Sequence, residues 1–114
     1  MWRLDGQRLS LISRSAMAST DIHEIGAAEW PVAWPERPVA AAFWLAQAAR
    51  QDLWRAAQRI RGFRPAIAVE IGVGQAGVTL LAAGVRQGPT LPDSEVLFRK
   101  RAQWTAWALR RAGG

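Results

Sequence analysis

Three groups of residues have the types and spacing to do chemistry. Gly72-x-Gly74-x-x-Gly77 matches the glycine fingerprint of a dinucleotide-binding loop, where bare backbone approaches a pyrophosphate at a helix N-terminus. The acidic ribose partner expected about twenty residues on is Asp93 or Glu95. Pro65 opens the segment before the glycines, however, and Pro89 and Pro92 interrupt the place where a second strand should lie. Ser19, Asp21, His23 and Glu24 form the second group, but adjacency in sequence is not triad geometry, and a solvated polar turn accounts for them. The third group is the excess of cations. Fourteen arginines and one lysine give a net charge of +6 and a pI of about 11.6, which suits an acidic partner, either nucleic acid or an anionic membrane face. A GC-rich genome is the alternative reading of the arginine bias, and it leaves the net charge as it is.

Enzymatic chemistry is poorly supplied. The chain has no cysteine, so disulfides, thiolate metal sites and cysteine nucleophiles are excluded. His23 is the only histidine, which excludes multi-histidine metal sites. The expectation is a non-enzymatic protein with no cofactor and no metal.

The 114 residues, half of them hydrophobic, suit one folded domain with a modest core. Residues 1–19 carry arginine and serine in the manner of a transit peptide but lack the unbroken apolar core of a secretory signal. Asp5-Gly6, between Trp2-Arg3-Leu4 and Gln7-Arg8-Leu9-Ser10-Leu11, reads as the turn of a short hairpin or arm. Residues 13–29 are small and polar, with Thr20 or Asp21 placed to cap a short helix. Trp30, Pro31, Trp34, Pro35 and Pro38 mark a proline-punctuated linker whose tryptophans are expected to pack against helices. The chain thus divides into an arm and linker, 1–37, and a helical domain, 38–114.

Two segments of that domain have helical spacing. Across 38–61, Leu45, Ala49, Leu53, Ala56, Ala57 and Ile60 share a face opposite Gln47, Arg50, Gln51, Arg55, Gln58, Arg59 and Arg61, and Gly62 suits a C-terminal cap. Across 93–112, Thr90 with Asp93 resembles a capping box. Val96, Leu97, Phe98, Trp104, Trp107 and Leu109 then give a broad apolar surface, with basic residues toward both ends.

Between them lies 64–84, RPAIAVEIGVGQAGVTLLAAG. Its apolar residues 66–85, bracketed by Arg64 and Arg86, are long enough for a membrane span, but Glu70, Gln75 and four glycines sit inside it. Residues 67–84 resemble the helix-turn-helix of lambda-repressor/Cro-like DNA-binding proteins. In that resemblance Ala68 lets two helices cross closely, Ile67 and Ile71 face the core, and Gly72 takes the left-handed turn. Val73 plugs the core, Val78 and Leu81 anchor the second helix, and Gly84 ends it.

The resemblance covers about 53–92 and implies a mainly α fold, a helix-turn-helix bundle of four to five helices. It also implies a repressor-like transcriptional regulator of bacterial or phage type, cytoplasmic and nucleoid-associated, binding double-stranded DNA. Helix 75–83 would enter the major groove with Gln75, Ala76, Thr79, Leu80 and Ala83 facing the bases. Gly74 would offer its backbone N–H to a phosphate, and Arg64, Arg86 and Gln87 would grip the backbone. That face holds no arginine, lysine or asparagine, so affinity would come mainly from arginines outside the groove. Trp104 and Trp107 could serve a two-fold interface, with core burial as the alternative. The other expected functions are a non-enzymatic assembly or adaptor subunit built on the same helical scaffold, and nucleotide binding through Gly72, Gly74 and Gly77.

Overall fold

The computed structural model describes residues 2–12, 22–84 and 91–113. In it the central stretch is extended. Residues 64–84 are rich in branched side chains (Ile67, Val69, Ile71, Val73, Val78, Thr79), which lose χ1 freedom in a helix and pack well on a pleated surface. They form β4 (Arg64–Gly72) and β5 (Gln75–Ala83), an antiparallel hairpin in which Gly72 pairs with Gln75. The turn is Val73-Gly74, and Gly74 supplies the positive φ, +68°, that so short a reversal needs.

This overturns the helix-turn-helix and the mainly α bundle of four to five helices. Gly74, not Gly72, is left-handed. Val73, expected in the core, is fully exposed at the hairpin tip, with a relative exposure of 103%. The membrane span of 66–85 also falls, since most of it folds into two nine-residue strands. Among the described residues, no helix is long and apolar enough to cross a membrane.

The sheet has five antiparallel strands in the order β1-β2-β4-β5-β3. β1 (Trp2–Asp5) and β2 (Arg8–Ile12) close with Asp5 opposite Arg8, so the turn residues are Gly6-Gln7, one position later than Asp5-Gly6. β2 then pairs with β4, and Ile71 N–H donates to the Gln7 carbonyl beyond it (2.8 Å). Residues 22–31, read as helix and linker, are β3 (Ile22–Pro31), an edge strand on β5 with a bulge between Glu24 and Gly26. The caps proposed at Thr20 and Asp21 lie outside the described residues. Segments on both sides of residue 37 therefore build one sheet.

Helices cover one face of it. α1 (Pro38–Ala56) starts with proline in its first turn, where no N–H is needed, and is capped at Ala57, so Gly62 does not cap it. α2 (Ser94–Phe98) is capped by Asp93, whose carboxylate accepts from Glu95 N–H (3.0 Å). The single helix expected over 93–112 is broken at Arg99-Lys100. Arg99 and Lys100 N–H donate to Val96 and Leu97 in a tightened turn, and the Arg101 guanidinium donates to the freed Phe98 carbonyl (2.9 Å). α3 (Arg101–Gly113) follows, and Phe98 and Trp104, on either side of the break, both join the core.

That core lies between sheet and helices. Leu9, Ile67, Val69, Ile71, Val78 and Leu80 meet Leu45, Ala46, Ala49 and Leu53 of α1 and Leu97, Phe98, Trp104 and Ala108 of α2 and α3. Each fully buried aliphatic side chain contributes about 1.5–3 kcal/mol. Trp30 joins β3 to the helices. Its ring meets Phe98 (5.9 Å) and Trp104 (6.5 Å), and its indole N–H donates to Thr105 Oγ1 (2.9 Å).

Candidate functional site

The residues expected to face DNA do not form one surface. Gln75 opens β5 and is exposed, but its carbonyl is taken by the Trp34 indole N–H (2.9 Å). Ala76 and Leu80 are fully buried beneath the helices, and Ala83 is also fully buried. Thr79 sits half-buried on the outer face of the sheet, paired with Ala68 and Ala27. Gly74 is the hairpin turn, Arg64 is exposed at the start of β4, and Arg86 and Gln87 lie outside the described residues. A strand that buries every second residue cannot insert as a recognition helix, so the regulator mechanism falls with the fold.

The nucleotide reading fails for a related reason. Gly72, Gly74 and Gly77 belong to an antiparallel hairpin in which the glycine turn leads into a strand, not a helix, so it presents no helix N-terminus to a pyrophosphate. Asp93, one candidate ribose partner, caps α2 instead. An adaptor built on an all-helical scaffold is likewise excluded. His23 and Glu24 are consecutive residues of an exposed edge strand and project to opposite sides, while Ser19 and Asp21 lie outside the described residues. Among the described residues no acidic or histidine cluster could hold a metal ion.

The arrangement that stands out is one of charge. Among the described residues, segments 32–63 and 91–113, which hold the helices, carry ten cations against Glu36, Asp52, Asp93 and Glu95, a net +6. The strands and their turns carry Arg3, Arg8 and Arg64 against Asp5, Glu24, Glu29 and Glu70, a net −1. Nine of the ten helical-segment cations are exposed, and Arg50 is half-buried. Amphipathic spacing is the local cause. α1 turns its small apolar stripe onto β4 and leaves Gln51, Trp54 and Arg55 exposed, with Gln47 half-buried and Gln58 exposed just beyond the helix end.

α1 and α3 run antiparallel, with Trp44 beside Trp107 and Asp52 beside Trp104. Between them is a groove of about 270 Å³ lined by Ala48, Gln51, Asp52, Gln103, Trp104, Trp107 and Arg110. Asp52 organises its floor. One carboxylate oxygen accepts from the Trp104 indole N–H (2.6 Å), and the other lies 3.7 Å from both Arg55 and Lys100. Trp107 packs edge-on against Trp44 at 5.7 Å, and the Arg111 guanidinium lies over Trp44 at 4.4 Å and Trp107 at 5.5 Å. Trp104 is 3% exposed, so its ring is used within the chain, whereas Trp107 remains half-buried.

Basic residues are visible in the sequence. Their concentration on one layer is not, because it depends on which segments are strands. Asp52 is inconspicuous there, since a lone acid on a basic helix shows its partners only once α3 is in place. No protein family, curated protein or solved structure matches the chain.

Proposed function

We propose that this protein is a nucleic-acid-binding module that grips phosphate backbones, duplex DNA among them, with the outer surface of its helical layer. The observation that carries the reading is the concentration of net charge, +6 on the helical segments against −1 on the strands. Arginine rather than lysine supplies it, and the planar guanidinium fork matches phosphate oxygens two at a time. Interleaved Gln47, Gln51 and Gln58, with Trp54 half-exposed at 52%, add hydrogen-bonding and stacking groups. A membrane face is less well served, because α1 and α3 bury their apolar stripes and offer lipid little to insert. Contacts of this kind read charge and shape, so the binding is sequence-independent, as suits a nucleoid-associated protein.

The test is a salt titration of binding to a random-sequence duplex. An interface neutralising six or more phosphates loses about 10³-fold or more in affinity between 50 and 200 mM salt. Absence of binding at low salt, or binding indifferent to salt, would overturn the reading.

A further inference from the structure

We propose that the groove between α1 and α3 receives one unpaired nucleobase while Arg110 at its rim holds the adjoining phosphate. This rests on the phosphate-binding reading above and sharpens it, since it makes single strands, gaps and frayed ends the preferred ligands.

The groove has the size and the chemistry for one base. At about 270 Å³ it falls just below the roughly 300 Å³ at which pockets begin to accommodate drug-sized ligands, so it suits a single planar ring system. Ala48 contributes only a methyl group and leaves the space open. Trp107 supplies aromatic surface, and its contacts with Trp44 and Arg111 fix its orientation before any ligand arrives. The Asp52 carboxylate, already occupied by Trp104, Arg55 and Lys100, does not confront the ligand as an isolated anion.

The rim supplies polar recognition from both helices. Gln51 and Gln103 are exposed, and each amide carries both donor and acceptor, so together they can meet the edge of any base. Arg110 is exposed at the same rim and makes no ion pair among the described residues. Aromatic surface, amides and a cation within one small concavity form a single-strand platform, where stacking is tolerant of sequence and the backbone is held by charge. A base inside a duplex is stacked and paired, and it cannot enter.

The experiment compares three fluorescently labelled ligands by anisotropy: a short oligothymidylate, an abasic oligonucleotide of equal length and charge, and a duplex. The expected result is that the abasic strand binds about tenfold or more weakly than oligothymidylate, the gap that stacking of a single base supports. Ala48→Leu, which fills the groove, should close that gap. Gln103→Ala, at an exposed position with little bearing on folding, should narrow it. Equal affinity for abasic and base-bearing strands, both falling with salt, would overturn the groove proposal and leave phosphate binding standing. Failure of all three ligands to bind at low salt would overturn both.

Discussion

The helical layer and the outer face of the sheet are the two broad surfaces of this molecule, and they are built on opposite plans. The helical layer shows long side chains, arginine and glutamine with tryptophan between them, over a groove braced by Asp52. The sheet shows short ones. Ser10, Ala68, Thr79 and Ala27 lie in register across four strands, and beside them run Arg8, Glu70, Gly77 and Glu29. Over Gly77 that second row leaves a shallow depression of about 420 Å³ between the two glutamates. Long flexible cations suit a polyanion that need not be positioned closely, whereas the short side chains of the sheet, Ala68 among them buried, offer it few contacts. The two surfaces are therefore expected to respond differently to every perturbation.

The largest effect should come from the interaction that ties the helices together. Trp104→Ala removes a ring packed against Trp30 and Phe98 and leaves the Asp52 carboxylate without its indole donor. A loss of about 3–5 kcal/mol in urea unfolding is expected; a loss below 1 kcal/mol would mean that the helical layer is not braced there. Next comes the charge contrast. The triple variant Arg55→Glu, Arg59→Glu, Arg110→Glu should bind duplex DNA about 100-fold more weakly and reduce the salt slope by about 0.9 for each phosphate no longer neutralised. Arg3→Glu with Arg8→Glu, on the sheet side, should bind within a few-fold of the parent. Equal losses from the two variants would erase the distinction between the surfaces.

Two glycines sharpen the comparison further, because they lie on opposite faces of the same sheet. A Cβ at Gly26 would collide with the Ser94 side chain at the start of α2. Gly26→Ala should thus push α2 off the sheet and destabilise the fold by about 1–3 kcal/mol. At Gly77 an added Cβ meets Glu29 and Glu70 at an ordinary 3.7 Å. Gly77→Ala should therefore stabilise the protein slightly, by about 0.5–1 kcal/mol, through lower entropy of the unfolded chain. Matched chemical-denaturation curves for the pair check both signs at once.

The same outer face explains why the fold is only partly legible in the sequence. Helix starts are written in local chemistry. Pro38 marks the first turn of α1, and Asp93 is legible at the start of the last helical segment, where it acts as the cap itself, while Thr90 lies outside the described residues. Strands betray themselves by alternation of apolar and polar residues, and β4 and β5 lack it, because Ala66, Ala68, Gly77, Leu81 and Ala83 fill the positions away from the helices. Small residues in both phases resemble the close crossing of two helices, and Gly72 and Gly74 resemble its turn. The better signal is the density of β-branched residues from Ile67 to Thr79, which a helix tolerates poorly. In β3, Gly26 and the bulge break the period, and Pro31 suggests a linker where an edge strand ends. The candidate groove is illegible for another reason. Asp52 and Trp104 are far apart in sequence, and the break at Arg99-Lys100 that precedes the helix carrying the indole has no proline or glycine to announce it.

The strand order has a consequence for how the chain is made. β2 waits for β4 and β3 waits for β5, so on the ribosome the first three strands and α1 emerge before either central partner exists. Only the β1-β2 hairpin can close early. The exposed rows of backbone donors and acceptors on β2 and β3 must stay unpaired until Gln75–Ala83 has been synthesised, which leaves the nascent chain open to pairing with its neighbours. That hairpin lies between both waiting strands, so the sheet is continuous only once it is in place. Folding yield in cells should therefore be sensitive to the rate of translation through residues 64–84.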